Sequence, residues 1–503
     1  MNWIARDDTI IFDSEFNEEL DIKLISNYKI LIFADFELNE KTFESYLNNN
    51  FNNLKIRESK FNKDVSGLPY GLTHLKFGHT FNQDVSALPH TLTHLRFGGC
   101  FNRDVSNLPP FLTHLEFGHY FDRNASVLPH SLTHLTFGKY FNQDVSKLPP
   151  FLTHLTFGAD FDRNVSFLPL TLTHLTFCMY FNKDVSRLPH SITHLTFGCF
   201  FDQDVSELSH NLTHLTFGTH FNQDVSTLPP LLTHLIFGGK FNQDVSSLPS
   251  KLLYLVFGEK FNQDISNLPR TLTHLKFGGI FEGNFNKSVS NLPPFLTYLK
   301  FSDKFNQDVS NLPPFLTYLE FGRDFNQDVS KLPLNLTHLT FGDKFNQDVS
   351  ALPPNLTHLK FGKKFNQDIS KLPQTITHLT LKDEFNVRCD IPLNIKYLEL
   401  RCNNMYIINS LPNSIIELKL SGIFNLEINN LPTSIKKLSI CKYSICYNQD
   451  MNCLPDFIEE LELNCEYTKP ILKIPSKLKK LFCSNGYPHK NDFANYDVEI
   501  YIL

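Results

Sequence analysis

The chain has 503 residues and a formal net charge of -6, from 46 basic and 52 acidic side chains. This charge argues against a nucleic-acid-binding protein, which needs a surplus of Lys and Arg on one face. No stretch approaches the roughly 20 apolar residues that cross a bilayer, and Arg6, Asp7 and Asp8 interrupt the place where a secretory signal needs an apolar run. We therefore expect an intracellular, cytoplasmic protein that is not secreted and that binds neither nucleic acid nor membrane.

The first region, residues 1–50, precedes the regular part of the chain. It contains segments, such as Tyr28 to Phe33, that resemble degenerate copies of the repeat that follows. Terminal repeats of a solenoid need a polar outer side and are usually atypical. This region is therefore predicted to be a set of degenerate capping repeats.

Residues 51–384 contain sixteen regular 20-residue repeats with the consensus F-N-Q-D-V-S-x-L-P-x-x-L-T-H-L-x-F-G-x-x. The first phenylalanine, position 1 of each repeat, recurs from Phe61 to Phe261. A four-residue insertion at 281–284, from Phe281 to Asn284, shifts the series to Phe285 and beyond. Self-similarity at a fixed period is the signature of a stacked repeat architecture.

The segment L-T-H-L-x-F has the spacing L-x-x-L-x-L and predicts a short strand in each repeat. Alternation sends Leu75 and Phe77 to the core and His74 and Lys76 to the surface. The return segment is short, rich in polar turn residues, and carries Pro89, which blocks a helix. The fold class is predicted to be an all-β-type solenoid. It would be a leucine-rich-repeat-like, right-handed coil with a parallel β-sheet on one face and extended or turn segments on the other.

Position 2 of the repeat is Asn or Asp, as in Asn82 and Asp122. Both residue types accept hydrogen bonds from the backbone amides of turns. We expect them to form a structural ladder between coils, so an active-site role for any one of these carboxylates is improbable.

The pattern decays after residue 384. Residues 385–465 are predicted to be degenerate repeats of the same solenoid, and residues 466–503 a C-terminal cap. Seven of the ten cysteines lie in this last quarter without CxxC spacing. They predict reduced, mostly buried thiols and support neither a zinc site nor a redox motif.

The frame resembles the FNIP repeat family, a relative of leucine-rich repeats. Phe141-Asn142-Gln143-Asp144, then Leu148-Pro149 and residues 152–158, match its FNQ…IP…THLxFG pattern, although family units commonly have 22 residues. The resemblance implies an origin in amoebae or in the giant viruses that infect them. Many family members carry an N-terminal F-box that links them to a ubiquitin ligase. Residues 1–50 lack the Leu-Pro opening and basic, Trp-containing end of that motif, so substrate-adaptor function is not inherited.

Position 14, the first outward strand position, is His in thirteen of the sixteen regular repeats and Tyr at Tyr254, Tyr298 and Tyr318. Strands about 4.8 Å apart would stack these rings into a ladder. Three interpretations remain open: structural stacking, a pH-sensitive surface, and metal binding by adjacent imidazoles. Under the second, we expect acidification to destabilise the solenoid near or below pH 6, because like charges at this spacing repel.

Partner specificity is expected at positions that vary on the repeated frame. Position 20 gives an aromatic strip along one edge: Tyr120, Tyr140, Tyr180 and Phe200. Position 16 contributes two apolar residues expected to be exposed, Ile236 and Val256, the latter beside Tyr254. Aromatic and apolar anchors of this kind are typical of interfaces. The alternative is that the strip merely packs on neighbouring coils.

No nucleotide-binding, zinc-protease or hydrolase motif occurs in the chain, and its Ser, His and Asp recur alike in every repeat. We therefore predict a non-enzymatic protein-protein interaction scaffold that takes no cofactor or metal. It would be a monomer that binds an unidentified protein partner. The alternatives are a structural or self-associating component, such as a virion or matrix protein, and a substrate-recognition module of a ubiquitin ligase.

Overall fold

The structure is a computed structural model that describes residues 3–48, 54–279, 283–440, 447–463 and 467–502. The chain divides into two compact units. Unit 1 comprises Met1–Gln243 and Ser247–Leu252, and unit 2 comprises 244–246 and 253–503. Phe281 and Glu282 of the four-residue insertion lie outside the described residues, as do Cys441, Cys446 and Cys465.

Unit 1 begins with an antiparallel pair and continues as a parallel sheet. Its first elements are β1 (Trp3–Arg6), β2 (Thr9–Phe12), α1 (Ile22–Ile25), β3 (Ile30–Phe33) and α2 (Glu40–Leu47). One strand per repeat follows: β4 (His74–Lys76), β5 (His94–Arg96), β6 (His114–Glu116), β7 (His134–Thr136), β8 (His154–Thr156), β9 (His174–Thr176), β10 (His194–Thr196), β11 (His214–Thr216) and β12 (His234–Ile236). From β2 onward each strand pairs in parallel with the next.

Unit 2 is a parallel sheet of the same kind. Its strands are β13 (Tyr254–Phe257), β14 (His274–Phe277), β15 (Tyr298–Lys300), β16 (Tyr318–Glu320), β17 (His338–Thr340), β18 (His358–Lys360), β19 (His378–Leu381), β20 (Tyr397–Leu400), β21 (Glu417–Leu420), β22 (Lys437–Ile440), β23 (Glu460–Leu463), β24 (Lys480–Cys483) and β25 (Glu499–Ile502). It also contains α3 (Met405–Asn409) and a short 3₁₀ helix (Lys490–Asn495).

The core of each coil is filled from both walls. Leu75 and Phe77 point inward from the strand and are buried, whereas His74 and Lys76 remain partly exposed, as the alternation predicted. The position-1 phenylalanine closes the other wall and stacks on the strand phenylalanine of the preceding repeat. In one such pair, Phe137 and Phe141, the ring centroids are 3.7 Å apart. Stacked rings therefore form two continuous columns inside the solenoid.

The polar turns connect each coil to the next. Asn82 Oδ1 accepts a hydrogen bond from the amide of Asn102 at 3.0 Å, and Asp122 Oδ1 accepts one from the amide of Asn142 at 2.9 Å. The predicted ladder at position 2 is thus confirmed. It satisfies amides that would otherwise lack a protein partner at the turn.

The predicted solenoid is confirmed, and residues 54–279 and 283–404 contain no helix. In the described part of the chain, no helix is long and apolar enough to span a bilayer. The described cysteines are free thiols, and burial raises the pKa of Cys402 to about 12, which keeps that thiol protonated.

Candidate binding surface

The sheet face of unit 1 carries nine imidazoles in consecutive coils, from His74 to His234. Adjacent rings are stacked, with centroids 4.1 Å apart for His74 and His94 and 4.2 Å apart for His94 and His114. Each strand lies in register with its neighbour, so His pairs directly with His across the sheet. We call this array the His ladder.

A second column of hydrogen bonds orients the rings. Thr93 Oγ1 lies 2.9 Å from His94 Nδ1 and also donates to the carbonyl oxygen of Thr73 at 3.2 Å. A threonine hydroxyl has one proton. When that proton points to the carbonyl, the Nδ1–H of the neutral imidazole donates to Oγ1, and the Nε2 lone pair is the basic atom of the ring.

The His ladder disfavours positive charge. Burial is the main cause that lowers the pKa of His94, and the neighbouring imidazoles of His74 and His114 add to it. Together they bring that pKa to about 4. Burial followed by the flanking histidines also lowers the pKa values of His134 and His154. Proton uptake therefore works against the folded stack.

Unit 2 replaces part of the ladder with tyrosine. Tyr298 and Tyr318 stack with centroids 4.5 Å apart, and the Tyr318 hydroxyl donates to Glu320 Oε2 at 3.0 Å. His338 and His358 then resume imidazole stacking at 4.1 Å. Among the described residues, no group of three or more His, Cys, Asp and Glu side chains is placed to hold a metal ion.

The aromatic strip lies at the edge of unit 1 where each strand ends. Tyr120, Tyr140, Tyr180 and Phe200 are 51%, 37%, 48% and 40% exposed. Tyr120 and Tyr140 have ring centroids 5.1 Å apart, and Tyr180 and Phe200 are 5.2 Å apart. Asp160 separates the two pairs in sequence. The rings contact each other and still present a large part of their surface to solvent.

The three sheet-face residues proposed as anchors are less exposed than expected. Ile236, at the end of β12, and Tyr254 and Val256, on β13, are each half-buried. Side chains at position 16 lie between equivalent side chains on parallel strands, which cover their flanks. Ile236 pairs with Thr216 on one side, and Val256 with Lys276. Ile236 and Val256, which we expected to be exposed, are therefore only partly exposed.

A groove of about 470 Å³ runs beside the aromatic strip. Its floor is the glycine column of position 18, and Lys139 and Ala159 lie along it. Glycine is required there, because a Cβ on Gly138 would come within 1.8 Å of the carbonyl oxygen of Gly118. The close approach of successive coils leaves backbone, rather than side chains, at the floor. We call this the edge groove.

A second groove of about 450 Å³ lies on the sheet face at the N-terminal end of the His ladder. Tyr46 of α2 lines one side, and Ile30 and Ile32 of β3 lie at its end. Lys76 Nζ donates to the Tyr46 hydroxyl at 3.0 Å and lies 4.9 Å from the centre of that ring. The helix of the N-terminal region thus stands beside the strand face.

One exposed apolar surface was missed from the sequence. It lies on the turn that precedes each strand, at positions 10 and 11. Its members in unit 1 include Tyr70 at 81%, Phe111 at 66%, Phe151 at 62% and Leu170 at 82% exposure, and in unit 2 Phe295 at 57% and Phe315 at 52%. For the phenylalanines of this row, the recurring Leu-Pro-Pro-Phe segment was the available signal. We call these residues the turn-edge row.

With this geometry established, comparison with known proteins identifies the repeat. The family model described as FNIP Repeat matches residues 61–100, 101–140, 141–180, 201–240, 224–260, 241–279, 308–344, 328–364, 345–384, 387–423 and 403–443. These matches cover well over half of the chain. The chain belongs to the FNIP repeat family. The resemblance drawn from the FNQ, Leu-Pro and THLxFG segments is thereby confirmed.

Among solved structures, this FNIP chain is similar to the giant-virus protein CroV588, described as a novel circular LRR protein structure. The two share 30% identity over 100% of both chains, with a TM-score of 0.60. The FNIP chain also matches YopM from Yersinia enterocolitica at 19% identity over 82% of both chains, but at a TM-score of 0.37. A score that low bears on neither fold nor function. No curated protein gives a significant match.

Together, the family and the CroV588 likeness define a leucine-rich-repeat-like scaffold. Folds of this kind often serve protein-protein interaction and are typically non-catalytic. In this FNIP chain the frame repeats coil after coil, and the coils differ from one another at positions such as 16, 19 and 20.

Proposed function

We propose that this protein is a non-enzymatic interaction scaffold that binds a partner protein through the aromatic strip. The main support for this proposal is the solvent exposure of four aromatic side chains in consecutive or near-consecutive coils: Tyr120, Tyr140, Tyr180 and Phe200. Tyr and Phe are enriched at protein interfaces because they bury large area at low cost in side-chain entropy. Pairing of the rings with each other further limits the freedom that each would lose on binding.

The variable edge supports this proposal better than the repeated frame does. The position-13 Thr and the position-2 Asn or Asp groups of the frame are occupied in hydrogen bonds between coils, as Thr93 and Asn82 illustrate. Such groups hold the solenoid together in every repeat alike. A binding surface needs one place that differs from the rest, and the stretch from Tyr120 to Phe200 provides it in unit 1.

An affinity capture experiment tests the proposal. Full-length protein would be used as bait in extracts of its native host cell, with partners identified by mass spectrometry. The test variant combines Tyr120→Ala, Tyr140→Ala, Tyr180→Ala and Phe200→Ala. The matched control combines Tyr70→Ala, Phe111→Ala, Phe151→Ala and Phe167→Ala, which removes four aromatic rings that are also exposed in unit 1.

We expect the native chain and the control to capture the same partner, and the strip variant to lose it. Equal recovery with the strip variant would overturn the proposal. Thermal melts of both variants exclude general unfolding as the cause of a loss.

Self-association is a second candidate, supported by the turn-edge row. Phe295 and Phe315 stack with ring centroids 6.2 Å apart and are both more than half exposed. Light scattering after gel filtration distinguishes the two functions. A structural component would form oligomers that Phe295→Ala and Phe315→Ala dissociate, whereas an interaction scaffold remains a monomer until its partner is added.

A further inference from the structure

We propose that the edge groove binds an extended acidic polypeptide segment, whose carboxylates accept hydrogen bonds from the backbone amides of position 19. The inference rests on the proposed function, since the groove adjoins the aromatic strip, and it specifies the chemistry of the partner. Carboxylates of the chain itself already occupy this kind of position.

One such carboxylate lies at the N-terminal end of the groove. Asp35, a lining residue, uses Oδ1 to accept hydrogen bonds from the amide of Ser59 at 3.0 Å and from the amide of His79 at 2.7 Å. His79 occupies position 19 of its repeat. The same oxygen would lie 3.1 Å from a Cβ placed on Gly78, so it rests against the glycine column. A carboxylate therefore fits this groove and binds the position-19 amide.

Unit 2 contains the same arrangement twice, made by a neighbouring coil. Asp303 Oδ1 accepts from the amide of Arg323 at 3.4 Å, and Asp343 Oδ1 accepts from the amide of Lys363 at 3.3 Å. All four residues occupy position 19. In these two coils, although not at Asp383, the position-19 carboxylate binds the equivalent amide of the next coil.

Along the edge groove of unit 1 this carboxylate is missing. The position-19 residues are His119, Lys139, Ala159 and Met179. Among the hydrogen bonds of the described residues, none uses the amide nitrogens of these four residues as donor. Their donors form a row with the spacing of the coils, about 4.8 Å. A backbone N–H group without a protein acceptor is a donor that a carboxylate of a ligand can satisfy.

The charges beside the groove favour an acidic ligand. Lys139 Nζ donates to the Tyr140 hydroxyl at 3.2 Å, and Lys76 Nζ donates to the Tyr46 hydroxyl. Neither ammonium forms an ion pair within the described part of the chain. A carboxylate in the groove would therefore gain amide hydrogen bonds and the attraction of these ammonium groups, although Asp35 and Glu116 also line the groove and Asp160 lies near Lys139. Lys139 also lies 4.7 Å from the ring centre of Tyr140, which links the groove to the aromatic strip.

The length of the groove indicates an extended segment. Four coils at about 4.8 Å span close to 15 Å between the first and last amide, a distance that about five residues of extended chain cover at about 3.3 Å each. A peptide that alternates acidic and aromatic residues can direct carboxylates to the amides and rings to the strip, because alternate side chains point to opposite sides.

Fluorescence anisotropy with the full-length protein tests the inference. The probe is a labelled peptide of about ten residues that alternates Glu and Tyr, and its partner peptide has Gln at every Glu. The test variant is Ala159→Asp, which supplies the groove with its own carboxylate, as Asp303 and Asp343 do in unit 2. The control is Leu170→Asp, which makes the same charge change at an 82% exposed site before the strand.

We expect the Glu peptide to bind at least severalfold more tightly than the Gln peptide. Ala159→Asp should weaken binding of the Glu peptide about tenfold, and Leu170→Asp should leave it unchanged. Equal binding of the two peptides, or equal effects of the two substitutions, would overturn the inference. A single-stranded oligonucleotide of similar length that binds as tightly as the Glu peptide would overturn it too, because the groove would then accept any polyanion.

A second pair of variants keeps the test decisive if Ala159→Asp does not fold. Lys139→Glu removes the ammonium beside the groove, and Lys147→Glu makes the same change at an exposed residue outside it. Only the first should weaken binding of the Glu peptide.

Capture of the native partner separates the two proposals. If the strip variant loses the partner while Ala159→Asp and Lys139→Glu retain it, the proposed function stands and the acidic-peptide inference fails.

Discussion

The ring of His134 stacks on that of His154 with centroids 4.2 Å apart and an interplanar angle of 13°. Their Nδ1 atoms are tied to Thr133 and Thr153, so neither ring can turn away from the other without breaking a hydrogen bond. A proton added to one imidazole therefore meets its neighbour at a fixed short distance.

Acidification is predicted to destabilise the solenoid. The folded-state pKa values of His94 and His358 are about 4, whereas a histidine in an unfolded chain titrates near 6.5. Between these values the unfolded chain binds more protons, so the free energy of unfolding falls as the pH falls. We expect a melting temperature that is constant above about pH 6.5 and that declines toward pH 4.

Tyrosine at this position provides the control, since Tyr298 and Tyr318 already stack in unit 2. The combined substitution His114→Tyr, His134→Tyr and His154→Tyr should reduce the decline between pH 6.5 and pH 4. Hydrogen bonds from Ser86 lower the pKa of Asp84. The stability that such aspartates contribute is therefore lost only at more acidic pH. A melting temperature that does not change down to pH 5, or an equal decline in the tyrosine variant, would contradict the prediction.

Gly138→Ala is predicted to destabilise unit 1 by about 1–3 kcal/mol, because the added Cβ forces two coils apart. The Cβ would lie 1.8 Å from the Gly118 carbonyl oxygen. The chain itself carries a side chain in this column at Cys178, so we expect lower stability rather than complete unfolding. Gly71→Ala is the matched control, since its Cβ would meet nothing within 4 Å. Urea denaturation measures both, and equal midpoints would refute the steric explanation.

Asn306→Ala is predicted to loosen one turn of unit 2. Asn306 Oδ1 accepts hydrogen bonds from the amide of Asn326 at 2.9 Å and from Gln327 Nε2 at 3.1 Å. Loss of the acceptor should cost about 1 kcal/mol and accelerate hydrogen exchange at the Asn326 amide. Asn306→Asp should retain protection, because Asp202 makes the equivalent two bonds. Unchanged exchange in Asn306→Ala would show that the ladder does not protect the turn.

The repeated part of the fold could be predicted because each position has the same environment in every coil. Alternation placed Leu75 and Phe77 in the core, and hydrogen-bonding chemistry placed Asn82 between coils. Solvent exposure of Tyr120 and Tyr140 followed from the range of side chains tolerated at position 20. In each case the environment of a position in one repeat predicted its environment in all the others.

Features that depend on contact between different positions could not be predicted in this way. The half-burial of Ile236 results from side chains on the flanking strand. The exposure of the turn-edge row, including Phe111, depends on the path of the turn between two buried leucines. The hydrogen bond between Lys76 and Tyr46 connects residues thirty positions apart, in two regions that share no sequence pattern. None of these relationships is encoded in the consensus.

Within residues 101–240 every coil pairs with the next at an offset of 20 residues, both in the strands and at the asparagine turns. Excision or duplication of one whole coil would therefore join surfaces that already fit one another. Such a gene can change the length of its product by unequal recombination without inventing a new contact. What alters is the order in which the variable side chains appear along the edge, so the chain can present a different surface by rearranging coils that it already has.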